Sequence, residues 1–234
     1  MFQFTHEIWK SLGENARERA KYLKDVFSEH VENFSPTFYL DVGTGLGYNA
    51  LIFGENSKEI SAMDLRFPKN SVLRNKEKIS LIVADARFLP FREKVFDLVS
   101  LFSVIEHVRE QELALTDALR VLKSNGKLVI QIPNRYFPLE LHSGLPFVFM
   151  IPSRIRHFIL RNIGYEWLNT IDIPSKTKLE RTISKMNTRS KIAAKKVIYP
   201  PSVMWPKLRA LYNFLQKVRF LDFLPLGYLF VVEK

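Results

Sequence analysis

Residues 11–33 carry Ala16, Ala20, Leu23, Val26 and Phe27 at helical spacing among charged neighbours, which predicts a leading helix with one buried stripe. Five short β-rich runs follow at 38–42, 59–63, 79–84, 96–102 and 127–132, separated by helical or loop segments. Strands alternating with helices predict a parallel sheet covered on both faces. The runs LVSLF and KLVIQI are apolar enough to lie buried inside it. Residues 109–123 predict the helix before the fifth strand, with Leu113, Leu115, Ala118, Leu119 and Leu122 turned inward. Ser124-Asn125-Gly126 is expected to end that helix, because Asn and Gly tolerate the left-handed conformation that closes one.

Past Pro133 the pattern changes. Residues 134–170 are rich in aromatics and proline and too long for an ordinary connection. Thr177-Lys178-Leu179-Glu180 has the form of a capping box and predicts a helix from Thr177. A sixth strand is expected at 195–199, a helix at 206–218 and a last strand at 228–233, with no internal repeat.

At 234 residues, 47% hydrophobic and 25% charged, the chain can build a sizeable core, which excludes disorder or a coiled coil as a whole-chain reading. With no cysteine, a disulfide framework, thiolate metal sites and a cysteine nucleophile are excluded. No run of about 18 to 20 apolar residues exists, and residues 1–10 lack a basic-then-apolar signal layout, so the expectation is a cytoplasmic protein. The net charge of +11 is unevenly placed: residues 1–132 hold 18 Lys and Arg against 18 Asp and Glu, residues 133–234 hold 17 against 6. The second part therefore faces something anionic or is a solvated basic surface.

The first strand runs directly into Asp41-Val42-Gly43-Thr44-Gly45-Leu46-Gly47 and then a helix. Glycines let the backbone turn tightly and approach a ligand, and the helix start offers free amides. The spacing is D-x-G-x-G-x-G rather than the dinucleotide G-x-G-x-x-G, whose third glycine would fall at Tyr48. An acidic residue before the turn disfavours a pyrophosphate and favours a cationic group.

On these residues the chain resembles the class I S-adenosylmethionine-dependent methyltransferases, and within them the type 11 group, over about 38–134. The resemblance implies S-adenosylmethionine as cofactor, with Asp41, Gly43, Gly45 and Gly47 forming its first motif. It implies that Asp64, with Leu65 beside it, takes the two ribose hydroxyls, for which a carboxylate supplies two acceptor oxygens. It implies that Asp85, with Ala86 alongside and Phe88 a ring contact, reads the adenine amine, and that Ser103 completes the pocket. The 96–108 stretch matches a fourth motif, in which Asp97 is read as orienting the strand rather than acting chemically. The implied fold is α/β: one doubly wound Rossmann-like domain with a seven-stranded, mostly parallel sheet, an antiparallel last strand and a helical cap inserted after strand 5. Its expected parts are a leading helix (1–35), a cofactor-binding core (36–134), the cap (135–173) and a C-terminal portion completing the sheet (174–234).

Methyl transfer from a sulfonium is an in-line displacement that asks chiefly for alignment and dryness. An oxygen acceptor also benefits from a base, for which His107 and His142 are the candidates, each equally readable as a structural histidine. No metal-ligand spacing among the histidines is evident. The cap mixes Ile155, Phe158, Ile159 and Ile163 with Arg154, Arg156 and Arg161, which reads either as a lid with its apolar side on the core and arginines in water, or as a helix lying on an anionic membrane or lipid. Eight basic residues between 176 and 196 meet one acid, Glu180; they suit phosphate or are a solvated face. The leading expectation is an enzyme methylating a small-molecule acceptor, lipid-like or anionic, with peripheral contact at the inner membrane face. An RNA methyltransferase is the alternative, a non-catalytic cofactor-binding module the third, and the oligomeric state is left open.

Overall fold

A computed structural model describes residues 15–31, 34–74, 76–140, 143–186, 191–200, 202 and 206–234. Strands β1 (Phe38–Val42), β2 (Glu59–Asp64), β3 (Ile79–Val83), β4 (Phe96–Phe102), β5 (Leu122–Pro133), β6 (Lys191–Val197) and β7 (Gly227–Glu233) form one sheet in the order β3-β2-β1-β4-β5-β7-β6. The first five pair in parallel, and β7 runs antiparallel between β5 and β6. The chain order reverses at β1 and β4, which places a crevice beyond their carboxyl ends.

Successive residues of the central strands feed opposite faces. Leu128, Ile130 and Ile132 of β5, with Phe230 and Val232 of β7, pack on one side, under α3 (Gln111–Val121) and α5 (Lys176–Met186). Val129, Leu229 and Val231 pack on the other, under α1 (Ala16–Ser28), α2 (Tyr48–Phe53) and Tyr212 of α6 (Pro206–Lys217). Helix α1 buries Ala20, Leu23, Val26 and Phe27, as its periodicity predicts. A short helix, α7 (Phe220–Phe223), leads into β7.

Three local expectations are corrected. Helix α3 ends at Val121, and Ser124-Asn125-Gly126 lies inside β5 as an irregularity: Phe96 pairs with Leu122 but Leu98 with Lys127. Asn125 does take the left-handed conformation (φ 66°), and there its amide donates to the Lys234 carbonyl at 3.0 Å, tying down the chain end. Leu113 is 47% exposed, whereas Ala114, Leu115, Ala118 and Leu119 are buried. Helix α5 begins at Lys176, and the hydroxyl accepting from its first turn is Ser175 Oγ, from the Lys178 amide at 3.2 Å, two residues before Thr177.

The cap after β5 has a small core of its own, Val148, Phe149, Leu160, Tyr165, Leu168, Ile171 and Ile173. Its helix α4 (Ser153–Asn162) buries only Leu160 among its side chains. Arg156 folds inward with its guanidinium 5.0 Å from the Phe149 ring centre, while Ile155 and Phe158 stand 56% and 71% exposed. The lid expectation had Ile155 and Phe158 on the core and all three arginines in water; Arg154 and Arg161 are in water, while Arg156 and the apolar pair depart from it. Burial lowers the Arg156 pKa, with Arg135 adding to the effect. The basic run divides between α5, whose Leu179 and Ile183 enter the core while Lys178, Arg181 and Lys185 are exposed, and the edge strand β6, where lysines discourage pairing with another chain. Arg189 and the 187–190 segment lie outside the described residues.

Candidate functional site

Two cavities open at the carboxyl ends of the central strands. The smaller, about 220 Å³, is lined by Gly43, Asp64, Leu65, Asp85 and Ala86 from the ends of β1, β2 and β3. The larger, about 500 Å³, lies between α1, the glycine turn and the ends of β4 to β7, and is mostly apolar. Ser103 and His107 line both and mark where they meet.

The glycine turn is built by close packing. A Cβ at Gly47 (φ +96°) would sit inside the Leu73 side chain, so only glycine fits there. At Gly45 (φ +53°) a Cβ would meet nothing within 4 Å: the backbone is left open on that side, as close approach of a ligand requires. Asp64 Oδ2 accepts from the Gly45 amide at 2.8 Å and its Oδ1 from the Arg66 amide at 3.3 Å, which fixes the carboxylate at the cavity wall with acceptor capacity remaining on both oxygens. An open glycine backbone beside a fixed acceptor-only carboxylate fits the methionine and ribose parts of S-adenosylmethionine.

Asp41 stands elsewhere. It is 1% exposed, lines neither cavity, and accepts hydrogen bonds from Ser100 Oγ (2.6 Å), Thr44 Oγ1 (2.7 Å) and the Tyr39 hydroxyl (3.3 Å). Burial pushes its pKa up to about 6 against the pull of those hydroxyls. Its structural effect is to hold Thr44, and with it the turn, onto β1 and β4. Asp85 lines the smaller cavity, but Arg87 grips both its oxygens, with Nη2 donating to Oδ2 at 2.7 Å and Nε to Oδ1 at 3.0 Å. Those bonds hold its pKa below the ordinary value, and Arg87 is itself held by Glu110 at 2.7 Å. Phe88 is exposed and lines neither cavity. Asp97 accepts from the amides of Thr37 (3.1 Å) and Phe38 (2.9 Å) and from Lys123 (2.8 Å), at the far end of β1 from the site.

His107 ends a 3-10 turn, Ile105–His107. The buried Gln111 fastens this turn to the cap, donating to the carbonyls of Ile105 (3.1 Å) and Asp172 (2.7 Å). His142 lies outside the described residues. Ser103 has φ +54°, uncommon for a residue with a side chain, and such strain gathers at functional sites. Sequence reasoning missed Gln131, which holds Ser103; its only signal was a polar residue interrupting the apolar run of β5. It also missed Arg19 and Tyr199 in the larger cavity, although Arg19 stands among the apolar positions of the α1 stripe.

Residues 40–130 match the type 11 family described as "Methyltransferase domain". The chain is 35% identical over 104 residues to an uncharacterised protein of Methanocaldococcus jannaschii, covering 44% of this chain and 44% of that one. It is 27% identical over 147 residues to the demethylmenaquinone methyltransferase of Thermobifida fusca, covering 56% of this chain and 61% of that one. The chain thus spans about half the length of the curated relatives it matches. A solved S-adenosylmethionine-dependent methyltransferase of Thermotoga maritima superposes with a TM-score of 0.59 at 16% identity, covering 100% of both chains, a likeness of fold.

Proposed function

We propose that this chain, whose residues 40–130 match the type 11 methyltransferase domain, transfers the methyl group of S-adenosylmethionine to an oxygen of a hydrophobic or anionic small molecule such as a lipid or glycan precursor. The observation that carries the reading is the meeting of the two cavities at Ser103 and His107. One is walled by a fixed carboxylate and an open glycine turn; the other is larger and mostly apolar. The similarity to a demethylmenaquinone methyltransferase supports a small organic acceptor.

When bound, S-adenosylmethionine supplies a methyl carbon made electrophilic by its sulfonium. The chain's part is then to align and to exclude water. Asp64 receives the ribose hydroxyls, the Gly45 backbone gives close approach, and Asp85 keeps lone pairs for an adenine amine beside those Arg87 occupies. Helix α1 roofs the larger cavity with Ala16, Ala20 and Leu23, keeping the acceptor dry. An imidazole accepts protons near neutrality, and in this reading His107, in the wall of both cavities, takes the hydroxyl proton of an oxygen acceptor.

Calorimetric titration with S-adenosylmethionine tests the core of this reading. Asp64→Ala should weaken binding about ten- to hundred-fold, the loss of charge-assisted hydrogen bonds. Gly45→Val should abolish it. Wild-type affinity in both variants would reject the cofactor assignment.

A second reading concerns where the enzyme works. No helix among the described residues is long and apolar enough to cross a membrane. The outward face of α4 nevertheless presents Ile155, Phe158 and Ile159 beside the exposed Arg154 and Arg161, a combination suited to lying on an anionic bilayer.

A further inference from the structure

The inward stripe of α1 holds an anomaly. Ala16, Ala20 and Leu23 recur as an apolar stripe, and Arg19 stands among them, so a cation occupies one position of the face that lines the larger cavity. Its Nε is buried with no hydrogen-bond partner, and no carboxylate pairs with it among the described residues. Arg87, Arg120 and Arg219 are each ion-paired, and Arg135 and Arg156, whose Nε atoms are also buried without a partner, line neither cavity. What Arg19 has is an aromatic ring: its guanidinium carbon lies 5.3 Å from the ring centre of Tyr199. Tyr199 is 5% exposed, lines the same cavity, and its hydroxyl is likewise buried without a partner.

Buried donors left unmade are costly, and a native structure keeps them where a ligand completes them. Here two such groups, from residues 180 positions apart, meet in one cavity whose remaining wall is largely apolar. The lining carboxylate, Glu140, is turned to Ser143, whose amide and hydroxyl donate to Oε2 at 2.6 and 2.7 Å.

We propose that the larger cavity is the acceptor site and that it takes a molecule with an apolar body and an anionic group, carboxylate or phosphate, received by Arg19 and Tyr199. This deepens the methyltransferase reading and rests on it for the word acceptor. The guanidinium supplies a forked pair of donors, the phenol a third, and the two alanines leave room for an aliphatic or aromatic body.

The test is calorimetric titration of the full chain with decanoate, decyl phosphate and decanol, three probes sharing one apolar body. Decanoate or decyl phosphate should bind at least about ten-fold more tightly than decanol, the lower bound for a charge-assisted hydrogen bond, and the preferred one identifies the anion class. Arg19→Gln should abolish that preference, bringing the affinities for the two anions down to that for decanol; Arg19→Lys should restore part of it. Ala20→Leu, which fills the cavity, should weaken all three. Equal binding of decanol and both anions by the wild type, or an undiminished preference in Arg19→Gln, overturns the proposal. Titration with S-adenosylmethionine in the same samples separates the two failures. Lost cofactor binding with retained anion preference would sink the methyltransferase reading alone, and the reverse would sink this site alone.

Discussion

Ser103 and Gln131 are bound to each other twice at the point where the two cavities meet: the Ser103 hydroxyl donates to Gln131 Oε1 at 2.7 Å, and the Ser103 amide donates to the Gln131 carbonyl at 3.0 Å. The first bond links side chains, the second backbones, and between them they hold Ser103 at a positive φ.

That relationship separates two substitutions. Ser103→Gly relieves the left-handed strain and Ser103→Ala keeps it, while both lose the hydroxyl. The glycine variant should be more stable than the alanine variant by about 1 kcal/mol. Urea denaturation measures this, and the opposite order would mean that the backbone at Ser103 is unstrained.

Asp41 sets a pH dependence. Its carboxyl is held up to about 6 by burial, above its ordinary value of 3.8, so the fold retains the proton longer than the unfolded chain does. The contribution to stability is whole below about pH 4 and is lost as pH rises through about 6, amounting to about 3 kcal/mol. Asp41→Asn should flatten the stability profile across that window. Thermal melts of both proteins from pH 4 to pH 7 give the comparison, and parallel profiles would exclude the effect.

For an oxygen acceptor, His107→Ala should lower the transfer rate about 10²- to 10⁴-fold and remove the acidic limb of the pH-rate profile. Cofactor affinity should change far less. A variant that keeps both rate and limb would exclude His107 as base and leave His142 as the histidine to substitute next.

Membrane and RNA readings separate on α4. Phe149 is buried in the cap core, so it is unsuitable as a probe of surface contact; Ile155 and Phe158 are exposed. Anionic liposomes should retain the protein, and replacing Ile155 and Phe158 with serine should weaken retention at fixed salt, because apolar groups gain from a bilayer and little from a phosphate backbone. Tight binding to RNA indifferent to these substitutions, without liposome retention, would favour the RNA reading.

The strands along the chain, and the turn and acids that follow them, were legible in the sequence because they are local. Asp64 follows β2, Asp85 follows β3, and the glycine turn follows β1, each placed by the strand immediately before it. Even there, only the fold separated Asp64 at the cavity wall from Asp41 beneath the turn. Both are acids next to strands, and what distinguishes them is the trio of hydroxyls from Tyr39, Thr44 and Ser100 that closes over Asp41.

Periodicity in α4 announced an amphipathic helix, and it could not say which face would turn inward. The cap builds its own core around Phe149 and Leu160, and Arg156 laid over Phe149 competes successfully with the isoleucines for the buried side. In the same way, Asn125 was readable as a residue tolerant of positive φ, but pairing of β5 with β4 and the Lys234 carbonyl decided that it would bend a strand instead of ending a helix. The sequence by itself determined the five strands of the parallel part of the sheet, a glycine turn and acids following β2 and β3, since hydrogen-bonding period and turn chemistry act over a few residues. Tertiary structure alone decided that Arg19 meets Tyr199 in one cavity, because that contact depends on packing α1 against strands whose partners lie nearly the length of the chain away.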